Sequence, residues 1–126
     1  MLGSADLIAF APTRDPAKAR EFYAHTLGLE LMSEDPFALV FNAHGTTLRI
    51  ANVADVKDFR PASFTILGWQ VTSVSDTIGD LAKKGVRFER FPGMDQDAKG
   101  IWKSPTGARV AWFKDPDGNI LSISQA

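Results

Sequence analysis

The chain has 126 residues, 14 Lys plus Arg against 15 Asp plus Glu, a formal net charge of -1, and no Cys. A chain of this length buries about two-thirds of its unfolded surface, so one domain over residues 1–126 needs no covalent staple. The lack of Cys excludes disulfides, thiolate metal sites and thiol nucleophiles. Both charge signs are interspersed, no apolar run is long enough to span a bilayer, and the start lacks the pattern of a signal peptide. The expectation is a cytoplasmic protein with neither nucleic acid nor membrane as a partner.

Leu7 to Ala11 is short and apolar and reads as a strand, closed by Pro12-Thr13-Arg14-Asp15-Pro16, through which no strand is expected to continue. Asp15 is a capping residue and Pro16 fits the first helical position, so a helix should start there. Its stripe is Ala19, Phe22, Tyr23 and Leu27, and Gly28 ends it. Leu29 to Ser33, Phe37 to Asn42 and Thr46 to Ala51 follow as strands, divided by Glu34-Asp35-Pro36 and Ala43-His44-Gly45.

Beyond a polar stretch the order returns. Phe64 to Val71 reads as a strand, Ser73-Val74-Ser75-Asp76 opens a second helix with a stripe on Val74, Thr77, Ile78, Leu81 and Ala82, and Gly85 stops it. Val86 to Phe91, Ala108 to Phe113 and Asn119 to Ser124 supply three more strands. Gly28 and Gly85 lie 57 positions apart, so the chain is a pattern-level repeat: module one about 5–52, a linker 53–62, and module two about 63–126. Pro92 to Gly107 is a long connection of the kind that is functional, mobile, or a solvated excursion pinned by a residue such as Trp102.

The closing run from Val110 to Ile123, with its Asp115-Pro116-Asp117-Gly118-Asn119 turn, resembles the end of the second module in the glyoxalase, bleomycin-resistance and extradiol-dioxygenase family, also called the vicinal oxygen chelate superfamily. Asp15, Phe22-Tyr23 and Leu27-Gly28-Leu29 resemble the family's first strand end and first helix. The resemblance implies an α+β fold of two βαβββ modules forming an open, curled mixed-sheet cleft, with the helices on the outer faces. The turn itself has a local explanation in Pro116 and Gly118, and it lacks the spacing of a calcium loop.

Metal-dependent members of that family hold a divalent cation on four strand positions, which fall here on Ile8, Ile66, Ser122 and a place at or near Arg49. Ile offers no donor and an arginine repels a cation, so the resemblance is to a metal-free subgroup, with no metal and no cofactor expected. His25 and His44 fall at no ligand position and read as exposed structural residues. No nucleophile elbow, triad or phosphate loop is present.

Period-two alternation puts Phe10, Thr47, Gly68, Gln70, Val110, Trp112 and Ser124 on the same faces as those four positions. The candidate ligand-binding set is Arg49, Trp112, Phe10, Gln70, Ser122, Trp102, Ile8 and Ile66, an apolar and aromatic lining with a few polar handles. Arg49 would take an oxyanion or stack on a ring; the alternative is an internal salt bridge to Asp95 or Asp97. Trp69 and Phe113 should face the helix-packed core with Phe22, Tyr23 and Leu81. Three functions fit these residues. One is capture of a small aromatic or anionic molecule by a homodimer. The second is metal-independent lyase or isomerase-type chemistry, with Arg49 on an oxyanion and Asp95 or a Ser122-bound water moving a proton. The third is an accessory protein-interaction module with a filled cleft.

Overall fold

The structure, a computed structural model, describes residues 1–126, which divide into two compact units, Met1–Pro61 and Ala62–Ala126. After a short 3-10 turn at Leu2–Ser4, the first unit runs β1 (Ile8–Thr13), α1 (Pro16–Glu21), a π-helical turn (Phe22–Thr26), β2 (Glu30–Glu34), β3 (Ala38–Ala43) and β4 (Thr46–Asn52). The second runs β5 (Thr65–Gln70), α2 (Val74–Lys83), β6 (Trp102–Lys103), β7 (Arg109–Lys114) and β8 (Ile120–Gln125). Each is a βαβββ module, and the fold class is α+β. The two mixed sheets have the orders β1-β4-β3-β2 and β5-β8-β7-β6, with β1–β4 and β5–β8 parallel and the other pairs antiparallel.

In each unit the helix covers one sheet face. Ala11, Leu39, Phe41, Leu48 and Ile50 are buried with Ala19 and Tyr23 in the first unit, and Ala111, Phe113, Leu121 and Ile123 with Val74, Ile78 and Leu81 in the second. Asp15 accepts a hydrogen bond from Lys18 N (3.2 Å) and Ser73 Oγ one from Asp76 N (3.1 Å), so both helices start where their capping residues place them. His44 and Gly45 both take positive φ, 51° and 92°, in the tight hairpin joining β3 to β4, so His44 is an exposed turn residue. His25 is equally exposed, 3.7 Å from Glu21.

Four elements differ from the sequence reading. Strand β1 continues through Pro12 to Thr13, because β1 is an edge strand that pairs only with β4 and has no second ladder for the missing N–H to break. The first helix is not one regular cylinder. It widens at Phe22, with Leu27 N bonded to Phe22 O (2.9 Å) and Leu29 N to Tyr23 O (2.9 Å), before Gly28 at φ 77° reverses the chain into β2.

Val86 to Phe91, read as a strand, makes only an isolated bridge from Phe88 to Phe113. Glu89 N still donates to Trp112 O (2.7 Å), but two other ladder groups are taken by a side chain: Gln96 Oε1 accepts from Phe91 N (2.8 Å) and Gln96 Nε2 donates to Glu89 O (3.0 Å). The fourth strand of that sheet is Trp102–Lys103, inside the segment read as a long connection.

The Asp115 turn is self-contained. The Asp115 carboxylate accepts from Asp117 N (2.9 Å), Asn119 N (3.0 Å) and Asn119 Nδ2 (2.8 Å), and so delivers β8 antiparallel to β7. Phe113, which that pairing seats in the core, is 1% exposed and lies 5.4 Å from the Phe88 ring. Phe113→Ala should therefore lower unfolding stability by about 3–5 kcal/mol. Urea denaturation checks this, and a loss below about 1 kcal/mol would mean that the β7 core is not packed as described.

Candidate functional site

The uncovered face of each sheet carries the candidate residues. In the first unit the register aligns Phe10, Arg49 and Val40 in one row across β1, β4 and β3, and Ile8, Thr47 and Asn42 in the next. Ile8 and Phe10 are 47% and 59% exposed, and Arg49 is exposed between the apolar neighbours Phe10 and Val40. An exposed guanidinium has no burial cost demanding an internal partner, so the salt-bridge reading of Arg49 loses its physical motive. Asp97, one of the partners considered for it, accepts at Oδ1 from the amides of Lys99 and Ile101, both at 2.9 Å.

In the second unit one row runs Gly68, Ser122, Trp112 and the next Gln70, Ser124, Val110, Trp102. The two indoles lie 6.1 Å apart, inclined at 41°, and the Phe91 ring meets Trp112 edge-on at 5.6 Å and 86°. Trp112 Nε1 donates to Thr65 Oγ1 at 3.0 Å. With its one polar group bonded within the chain, Trp112 offers an external molecule mainly the π face of a fixed ring. A Cβ on Gly68 would come within 2.7 Å of Ser122 Oγ, so the bare backbone there keeps Ser122 in place and the face flat beside Trp112.

Five of the eight sequence candidates, Ser122, Gln70, Trp112, Trp102 and Ile66, belong to the second unit, and the first four share its open face. Ile66 is the exception. The β5–β8 register shifts between Thr65 and Leu67, leaving Ile66 as the extra residue of a bulge, while Thr65 pairs with Ile120 and reaches Trp112. Sequence reading missed Thr65 and Phe91, because strict alternation has no place for a bulge and Phe91 sits in no strand. Ile8, Phe10 and Arg49 share the open face of the first unit.

These side chains do not fit a divalent cation. Ile8 and Ile66 carry no donor, Arg49 is itself cationic, Ser122 supplies a single hydroxyl, and nowhere in the chain do three or more His, Asp or Glu come together as a metal site.

A separate cavity of about 320 Å³ is lined by Asp95, Asp97, Ile101, Lys103 and Arg109. Lys103 and Arg109 face each other across β6 and β7, and alternation along β7 puts Arg109 on the side of Ala111 and Phe113, opposite Trp112. Asp95, considered above as a proton carrier, thus lines a cavity on the far side of the sheet from Trp112 and Ser122.

A sequence profile of the Glyoxalase/Bleomycin resistance protein/Dioxygenase superfamily matches residues 6–123. The Bacillus subtilis (strain 168) protein YraH is 33% identical over 122 residues, covering 86% of this chain and 88% of YraH. Among solved structures, TnmS3, an antibiotic binding protein from Streptomyces sp. CB03234, superposes with a TM-score of 0.74 at 26% identity over 99% of this chain and 98% of its own. Lactoylglutathione lyase from Agrobacterium tumefaciens has the same fold, with a TM-score of 0.74 at 17% identity over 98% and 94% of the two chains.

The amide of Ile101 above all, joined by the amides of Lys99 and Gly100 and the Lys99 charge, holds the Asp97 carboxyl below its usual range against the opposing effect of desolvation. A lowered folded pKa adds order to the loop above the ordinary carboxylate value, and that order is lost only as the pH falls through the lowered one. Hydrogen exchange at the Ile101 amide should therefore keep its protection from neutral pH to about 4 and lose it below the ordinary carboxylate range. Loss of protection already near pH 6 would contradict the assignment.

Proposed function

The chain belongs to the Glyoxalase/Bleomycin resistance protein/Dioxygenase superfamily, and on that premise we propose that it is a metal-independent binding protein that captures a small aromatic or anionic molecule. The observation that carries this reading is the Trp112 face: a fixed indole flanked by Phe91 and Trp102, with Ser122, Ser124 and Gln70 as polar neighbours on the same strands. A surface of that make-up binds a planar ring through its π face and orients it by a few hydrogen bonds. Gly68 adds backbone unshielded by a side chain, over which a flat molecule can lie close.

The Arg49 face supplies the anionic half of the proposal. Its guanidinium stands in a row with Phe10 and Val40, beside Ile8, so a carboxylate bonded to it would have apolar surface on either side for the rest of the ligand. Capture is favoured over proton-transfer chemistry because Asp95, one of the two candidate proton carriers, lies on the other side of the second sheet from Ser122, which leaves a water on the Ser122 hydroxyl with no carboxylate beside it. That TnmS3 binds an antibiotic supports the same choice. The donor-poor positions Ile8, Ile66, Arg49 and Ser122 support independence from metal. The proposal takes the protein as a cytoplasmic homodimer, in line with apolar Ile8 and Phe10 standing exposed in a single chain.

Calorimetry separates the two halves. Trp112→Ala should weaken 2-naphthol, a neutral ring, and Arg49→Ala should weaken benzoate, each by about thirtyfold, the usual cost of about 2 kcal/mol for truncating an anchor. Both variants should stay folded, and a chelator should change neither affinity. Trp69→Phe, on the helix-packed face, should lower stability and leave both affinities alone. Unchanged affinity in the folded Trp112 and Arg49 variants would sink the reading, as would binding that a chelator abolishes and a divalent metal restores.

A further inference from the structure

We propose that Gln96 is the positioning residue of the Trp112 face, setting where Phe91 and Trp102 stand and thereby how tightly a planar ring is held; the second half of this statement rests on the binding function proposed above. Gln96 lies in no strand or helix, yet its amide makes three hydrogen bonds. Oε1 accepts from Phe91 N (2.8 Å), and Nε2 donates to Glu89 O (3.0 Å) and to Gly100 O (2.8 Å). Only this orientation of the amide satisfies all three, since the reverse would set an NH2 against an N–H and an oxygen against two carbonyls.

Each bond leads to the aromatic group. Phe91 is held directly. Glu89 N donates to Trp112 O at 2.7 Å, so the bond to Glu89 O ties Gln96 to the strand that carries Trp112. Gly100 approaches closely enough that a Cβ on it would stand 3.8 Å from Gln96 Nε2, and Gln96 itself bridges to Trp102 through the main chain. One side chain thus joins the segment 89–91 to the segment 100–102, a stretch with almost no ladder of its own. Removing it releases Phe91 and loosens Trp102 at the start of β6 against the fixed Trp112 ring, while leaving the β7–β8 core and α2 untouched.

Gln96→Glu makes the test specific. Its ionised carboxylate still accepts from Phe91 N but faces two carbonyl oxygens, whereas the protonated acid regains one donor, so the repulsion raises its pKa and acid restores the link. The charged groups nearby are Arg90, whose Nη2 donates to Gln96 O (3.2 Å), Glu89, which is 3.7 Å from Lys114, the flanking Asp95 and Asp97, and the cations set around those two, Lys99, Lys103 and Arg109. Wild-type protein, which contains all of them, is the control for their titration.

Two inclined indoles at this separation couple as an exciton pair, so their circular-dichroism couplet reports the Trp102–Trp112 geometry without any ligand; Trp112→Ala identifies it. In Gln96→Leu the couplet should fall by about half or more and the 2-naphthol Kd should rise about tenfold, with the thermal unfolding of the core retained. In Gln96→Glu both should be lost at neutral pH and partly recovered on acidification to about pH 5, above the range in which Asp97 releases the loop, while wild type stays flat between those limits. If Gln96→Leu fails to fold, Gln96→Glu decides alone. A couplet intact in the variants, or one lost in Gln96→Glu with no recovery on acidification, overturns the positioning role. If wild-type protein does not bind 2-naphthol, the proposed function falls, and the couplet still decides whether Gln96 positions the rings.

Discussion

A β-strand sends its side chains alternately to two faces, and each four-stranded sheet here has one helix, which covers only one of them. Leu39, Phe41, Leu48 and Ile50 of the first sheet and Ala111, Phe113, Leu121 and Ile123 of the second therefore share the helix-covered face, while Phe10, Arg49, Gln70, Trp112 and Ser122 fall on the other, where only the strand-opening Ala38 and Ile120 are buried. An uncovered face bearing charge and hydroxyls alone would be an ordinary solvated surface. These faces instead carry Ile8, Phe10, Trp102 and Trp112, which water solvates poorly and which favour contact with another molecule.

Much of this was legible in the sequence because period two and period 3.6 are local properties. Seven of the eight strands, both helix starts, the Asp115 turn and the core positions of Tyr23, Phe113 and Leu81 all follow from residues within a few positions of one another. What failed depended on partners distant in the chain. Pro12 ends a strand only when both edges are paired, and nothing near it reveals that β1 has a single neighbour. Val86 to Phe91 has the composition of a strand, but Gln96 has taken the Phe91 N–H and the Glu89 carbonyl that a ladder would use.

The candidate site divides in the same way. Alternation placed Trp112, Ser122 and Gln70 on one face correctly, yet it assigned Ile66 where a bulge brings in Thr65 instead. That exchange matters chemically. Thr65 accepts the indole N–H and so fixes the Trp112 ring, a role no isoleucine could fill. Phe91 escaped notice because it belongs to an irregular segment, held in place by side-chain hydrogen bonds that no periodicity reveals. The connection around it proved to be the part of the second module where a side chain does the work of a strand.

The central claim is that the Trp112 face takes a planar ring. The chain has three tryptophans, so a nitrogen–proton NMR spectrum contains three indole resonances, and titration with 2-naphthol tests the claim at each ring. The account predicts that the Trp102 and Trp112 resonances shift together and saturate with one Kd, while that of Trp69, on the helix-packed face, stays in place. A shift confined to Trp69, or none at saturating 2-naphthol, would contradict it.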